Sequence, residues 1–309
     1  MEIKATAMSL HRHIWLALAI LVLPCNVAIG RAPEETYYST ASEVRISFFA
    51  TDEHDRALEH LQKEDFAVVD DSWVIRDFRS FTRADETVLD VVVLVDASES
   101  VEPRFAAAMR EVLRLTSDNR PASVDNLSVL SFSGIHPAVI CSGDCRSSSG
   151  EARLGGLHPT GATPLFDALA FAGDFITEHR RSGAKPVLIL FSDGDDNISR
   201  KSAAEGLEAV VASGAAIYSV DLGYGDRVSE GSRRLKAMSE ATGGRYFRVE
   251  DGVEAVQRAV LDDFHASYVV TYQLPNHQPG FHSLRILPTH NLSLRFYCRN
   301  GYYYENSVR

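Results

Sequence analysis

The stretch Val91-Val92-Val93-Leu94-Val95-Asp96-Ala97-Ser98-Glu99-Ser100 constrains the fold more than any other part of the chain. Its run of branched apolar residues reads as a strand buried on both faces, the pattern of a parallel sheet covered by helices. The run ends abruptly in one carboxylate and two hydroxyls, Asp96, Ser98 and Ser100, with one residue between successive members. In open α/β sheets, ligands collect where the carboxyl ends of strands open into loops. Three oxygen donors delivered there by one short loop suit a hard cation, Mg2+ or Mn2+. Alone, a D-x-S-x-S turn is weak evidence, because Asp/Ser turns after strands are common.

Two other places supply matching donors. Pro186 to Phe191 is a second buried-strand pattern, followed by Ser192, Asp193 and Gly194. Before it, Thr163-Pro164 precedes a helical pattern in which Leu165, Leu169, Ala172 and Ile176 share one face; proline is tolerated in a helix's first turn. For Thr163 by itself the plain reading is a helix cap whose oxygen accepts a backbone N–H. The combination of D-x-S-x-S, a threonine ahead of a helix and an aspartate after the next apolar strand favours a shared ligand instead.

That combination resembles the von Willebrand factor type A domain. Asp96, Ser98, Ser100, Thr163 and Asp193 look like the five residues of that family's metal-ion-dependent adhesion site. The resemblance spans about residues 86–264. It implies a doubly wound, mostly parallel six-stranded α/β sheet flanked by helices, with the first and fourth strands adjacent where the winding reverses. Ala215 to Val220 and Tyr246-Phe247 read as later strands, with Gly243 or Gly244 ending a helix. It also implies Mg2+ (or Mn2+) as cofactor and a protein partner that offers an Asp or Glu to the metal. One departure is Glu99, where the family often has glycine. Glu99, Asp195 and Asp196 are either solvated loop charges or an acidic rim around the ion.

Length and composition agree with a globular, exported protein. The chain has 309 residues, 45% hydrophobic and 24% charged, with a formal charge of −11. No basic stripe is present to neutralise phosphates, which argues against nucleic acid as the main partner and disfavours an anionic membrane face. Residues 1–30 read as a secretory leader: Lys4 and Arg12, an apolar run from Ile14 to Leu23, then Ala28-Ile29-Gly30. Ten apolar residues are too few for a spanning helix, and no second stretch of spanning length follows. The expected location is periplasmic, extracellular or envelope-associated.

Cysteine usage fits that compartment. Cys141 and Cys145 flank Ser142-Gly143-Asp144 after an edge-strand pattern, Ile135 to Ile140. A small disulfide loop is one reading; zinc, with His136 and His158 nearby, is the other. Cys298 is left over and reads as a buried small hydrophobe. Asn126, Asn197 and Asn291 each begin an N-x-S sequence that reads as a chance match, and a glycan on Asn197 would crowd Asp193.

Both flanks are β-rich. Val44 to Ala50, parts of Phe66 to Val74 and Phe78 to Thr82 precede the central region; Tyr268 to Leu274, Leu284 to Leu287 and Leu292 to Tyr297 follow it. Each flank is too short to bury a face alone. Residues 31–85 and 265–309 are therefore expected to pair into one sandwich-like module with 86–264 inserted between them. Glu64-Asp65-Phe66 and Arg299-Asn300-Gly301-Tyr302-Tyr303 resemble segments of exported bacterial proteins described as von Willebrand factor A-related, although the turn Thr51 to Arg56 lacks the expected glycine. Tyr302 to Tyr304 read as cross-strand packing. Apolar stripes at Phe105, Met109, Val112 and Leu113, at Ala203, Leu207, Val210 and Val211, and at Val253, Val256, Val260 and Phe264 read as helix faces turned to the core.

The leading functional expectation is a non-enzymatic, metal-dependent protein-binding module. A structural or assembly subunit of the envelope or secretion machinery, with a bracing ion, is the alternative. A Mg2+-dependent phosphoryl transferase with Asp96 as nucleophile is more remote, because the familiar phosphatase pattern has a second carboxylate where this chain has Ser98.

Overall fold

A computed structural model of the chain describes residues 43–84, 88–116, 124–224, 228–265 and 267–304. The leader read at residues 1–30 lies outside them. In chain order, the first flank forms β1 (Glu43–Thr51), β2 (Phe66–Asp70), β3 (Trp73–Ile75) and β4 (Ser80–Ala84). The central region follows with β5 (Leu89–Asp96), α1 (Glu102–Thr116), β6 (Val124–Ser133), β7 (His136–Ser142), α2 (Ser148–Gly155), α3 (Leu165–His179) and β8 (Lys185–Ser192). It continues through α4 (Ala203–Ser213), β9 (Ala216–Asp221), α5 (Glu230–Thr242), β10 (Tyr246–Arg248) and α6 (Val253–His265). The second flank supplies β11 (Ser267–Gln273), β12 (Gly280–Pro288), β13 (Arg295–Tyr297) and β14 (Gly301–Tyr304).

The central region is an α/β sheet of mixed orientation, in the order β10-β9-β8-β5-β6-β7. All its pairings are parallel except β6 with the edge strand β7. β5 shows why the fold has two helical layers. Its side chains alternate across the sheet, as strand geometry requires: Leu89, Val91, Val93 and Val95 join a core with Phe105, Val112 and Leu115 of α1 and Val253, Val256 and Val260 of α6. Val92 and Leu94 join the opposite core with Leu165, Leu169 and Ile176 of α3, Val210 of α4 and Leu235 and Met238 of α5. A strand buried on both faces must be apolar throughout, and β5 is, except at Asp90 and its terminal Asp96. Asp90 accepts hydrogen bonds from the Arg181 backbone N–H (3.0 Å) and Nε (2.7 Å).

Helix ends follow local chemistry. Ser202 and Glu205 form a reciprocal capping box at α4, and Ser147 and Ser229 cap α2 and α5. The expected stripe on α1 needs one correction: Leu113 is 42% exposed, whereas Glu111 and Leu115 are buried. Glu111 is inside because its carboxylate accepts from the Val253 N–H (2.8 Å) at the start of α6 and from Arg114.

The flanks pair with one another. β1 runs antiparallel to β11 and β13, β4 to β11, and β2 and β14 to β12. The outcome is two antiparallel sheets, β13-β1-β11-β4 and β14-β12-β2-β3, which share one core of Ile46, Phe48, Phe66, Val68, Val270, Tyr272 and Tyr302. The turn after β1 manages without glycine because Asp55 itself adopts a left-handed φ of 56°, a conformation aspartate tolerates, while Asp52 Oδ1 accepts the His54 and Arg56 amides.

Candidate functional site

β5 and β8 lie side by side, and from them the chain winds outward in opposite directions. The loops that leave their carboxyl ends therefore diverge and leave a crevice, the place where open α/β sheets bind ligands. Asp96 ends β5 and is fully buried. Its Oδ1 accepts from the Ser98 backbone N–H (3.0 Å) and the Ser98 hydroxyl (2.6 Å); its Oδ2 accepts from the Ser192 hydroxyl (2.7 Å) at the end of β8. Ser98 Oγ lies 3.0 Å from Ser100 Oγ. Since the Ser98 proton is committed to Asp96, Ser98 Oγ accepts from the Ser100 hydroxyl. Burial, opposed by these serine hydrogen bonds and aided by the nearby charge of Asp193, pushes the Asp96 carboxyl up to about 6.

Three loops are stitched here through their backbones. Thr160 N–H donates to Ala97 O (2.8 Å), Glu99 N–H to Gly161 O (3.1 Å), and Asn197 N–H to Thr163 O (3.0 Å). Asn197 returns the bond, its side-chain oxygen accepting from the Thr163 N–H (2.9 Å). Thr163 is buried, Asp193 half-buried and Ser100 exposed. Ser98 thus contacts both Asp96 and Ser100, Asp193 is close enough to act on Asp96 electrostatically, and Thr163 is clamped to the loop that carries Asp193. Gly194, at φ 79°, lets that loop lie against α5: a Cβ there would stand 2.3 Å from Gly231 O. Arg234 of α5 donates to Gly194 O.

The start of α3 is served from outside the helix, by Ser199 Oγ accepting from Phe166 (3.0 Å) and Asp167 (3.1 Å) and Asp196 Oδ1 from Phe166 (3.3 Å). The acidic residues around the site differ in role. Glu99 Oε1 accepts from the Gly161 N–H (3.3 Å), Asp196 helps hold α3, and Asp195 is exposed, 4.0 Å from Arg234. At the neighbouring edge, Cys141 and Cys145 are joined by a disulfide. With both sulfurs in that bond, the zinc alternative there falls away.

Sequence reading passed over two things. Asn197 looked only like an incidental sequon, yet it is the clamp on Thr163. Asp70, Asp71 and His282 present ligand atoms within 4.8 Å of one another, a set that could hold a divalent metal. No spacing rule connects residues more than two hundred positions apart; only the pairing of β2 with β12 does.

Residues 91–195, which run from β5 to the loop after β8, match the family model described as von Willebrand factor type A domain. Together with the sheet order this identifies the central region as a von Willebrand factor A-like fold. No curated protein matches the chain. Among solved structures, the chain is similar to the conserved hypothetical protein BatB of Bacteroides thetaiotaomicron, at 20% identity over 56% of this chain and 95% of that one, TM-score 0.42. It is similar to a von Willebrand factor type A protein of Catenulispora acidiphila at 15% identity over 88% and 76%, TM-score 0.46. It is also similar to the manganese-loaded TRAP protein of Plasmodium vivax at 18% identity over 71% and 96%, TM-score 0.41. Among the described residues no helix is long and apolar enough to cross a membrane.

Proposed function

We propose that the chain is a non-enzymatic protein-binding module that holds Mg2+ or Mn2+ through Asp96, Ser98, Ser100, Thr163 and Asp193 and offers an open position on the ion to an aspartate or glutamate of a partner. The observation that carries this reading is the stitching of three loops around a buried aspartate: 97 to 160, 99 to 161 and 163 to 197. The donor set fits a hard cation, since it consists of hydroxyl and carboxylate oxygens with neither thiolate nor imidazole. When bound, the ion would supply a concentrated positive charge. The chain's own residues would keep that charge strong: Ser98, Ser100 and Thr163 would be neutral donors, and the Asp96 and Asp193 carboxylates would balance part of the charge. A partner carboxylate would then gain a charge-assisted contact. The same geometry disfavours nucleophilic chemistry at Asp96, whose two oxygens are both occupied by serine donors and closed to solvent.

In this reading residues 1–30 are a leader, 86–264 form the binding domain, and 31–85 with 265–309 form a module that carries it, outside the cytoplasm. Calorimetric titration of the full chain with MgCl2 is expected to show an uptake that Asp96→Ala and Asp193→Ala each abolish while circular dichroism stays native. Unchanged uptake in both variants would overturn the assignment. If Asp96→Ala instead captures partners from the extracytoplasmic fraction as well as the unaltered chain does, any ion at the rim is only a brace.

A further inference from the structure

Asp70 ends β2, Asp71 forms the turn that follows, and His282 stands on β12, paired across the strand with Tyr302. Each of the three has one atom fixed by a neighbour and one left over. Asp70 Oδ2 accepts from the hydroxyls of Tyr272 (2.7 Å) and Tyr302 (2.8 Å). Asp71 Oδ1 accepts from the Ser283 N–H (2.8 Å). His282 Nε2 lies 2.8 Å from Gln278 O; a carbonyl only accepts, so Nε2 carries the proton and Nδ1 of the neutral ring is a lone pair.

The leftover atoms face one another. His282 Nδ1 is 3.1 Å from Asp71 Oδ2 and 3.8 Å from Asp70 Oδ1. Asp70 and His282 are 0% and 2% exposed, and both Asp70 Oδ1 and His282 Nδ1 lack a hydrogen-bond partner. Two carboxylates and a lone pair converge on one spot, two of the three out of water's reach, where an unpartnered polar group is costly. The arrangement calls for a positive charge at its centre.

We infer that Asp70, Asp71 and His282 form a second divalent-cation site, separate from the rim of the large sheet, that takes Zn2+ or a similar transition ion through one nitrogen and two carboxylate oxygens. The mixed N/O set favours such an ion over Mg2+. Ligand atoms about 2.0–2.1 Å from a tetrahedral zinc stand roughly 3.4 Å apart, a value bracketed by the two distances above. The supporting contacts are those that metal ligands require: the ring's other N–H on a backbone carbonyl and the carboxylate's other oxygen on phenol hydroxyls. Asp71 is partly exposed, which leaves a side for a water as fourth ligand. The ion would join β2 of the first flank to β12 and, through Tyr302, β14 of the second.

The test uses the full chain carrying Asp96→Ala, stripped with chelator, so that the rim does not contribute and its own failure shows only in the Mg2+ titration. ZnCl2 is expected to bind at one equivalent and to raise the melting temperature. Asp71→Asn is the decisive variant: asparagine tolerates the left-handed φ of 52° and keeps an oxygen for Ser283. It should weaken zinc binding about tenfold or more, as should His282→Gln. Zinc uptake that is absent, or unaffected by both variants, overturns the proposal. So does an imidazole 15N spectrum in excess Zn2+ showing both His282 nitrogens protonated, since the central charge is then a proton.

Discussion

At the rim of the large sheet most polar side chains stand on loops, with Asp96 and Ser192 on the last residues of β5 and β8; in the flank module they stand on strands and a tight turn. The rim brings together hydroxyls, the fully buried Asp96 and the half-buried Asp193, with Ser100 and Asp195 open to solvent. The flank cluster brings together two carboxylates and an imidazole packed under Tyr302, whose ring stacks on His282 at 5.1 Å. Under the two proposals above, a cluster of oxygen donors would serve recognition at the rim, and a mixed nitrogen and oxygen cluster would serve fastening in the flank module.

Gly194→Ala should have the largest effect on this contrast. A methyl group would meet the Gly231 backbone at 2.3 Å from a residue already at φ 79°, so strain and overpacking together should cost about 3 kcal/mol in chemical denaturation. The loop carrying Asp193 should shift, and Mg2+ uptake at the rim should weaken while Zn2+ uptake by the flank cluster should not change. A variant of native stability and affinity would mean that the rim is not built on this contact. Tyr302→Phe perturbs the other side of the comparison. It removes one of two phenol donors to the buried Asp70 carboxylate and should cost about 1.5 kcal/mol, with no change in Mg2+ uptake.

How far each region could be read from sequence follows from the same difference. β5 and β8 were legible because strands buried on both faces are continuously apolar, and their ends mark themselves by the first polar residue, Asp96 or Ser192. A helix stop at Gly243 or Gly244 was legible because a left-handed C-cap selects glycine, and the cap is Gly243, at φ 79°. Leu113 was misplaced because periodicity alone does not reveal that Glu111 finds partners at the start of α6. That the flanks pair was legible from their inability to bury a face alone; their register was not. His282 and Asp70 meet through the pairing of β2 with β12, in which Leu284 faces Asp70, and a single sequence carries no record of which residues face each other across that ladder.

Asp195→Asn is the smallest and most discriminating change. Its side chain is 66% exposed and sits 4.0 Å from Arg234, so stability should move by less than about 0.5 kcal/mol. As a solvated charge near the rim it should act on a bound dication only through water. Two unit charges about 8 Å apart in water interact by about 0.5 kcal/mol; a divalent ion doubles that, and physiological salt removes roughly two thirds. Mg2+ affinity should therefore fall only about twofold at 0.15 M salt and become indistinguishable from the parent near 1 M. A loss of tenfold or more that persists in high salt would mean that Asp195 touches the ion directly. Asp195 would then occupy the position on the ion that the proposal reserves for a partner's acid.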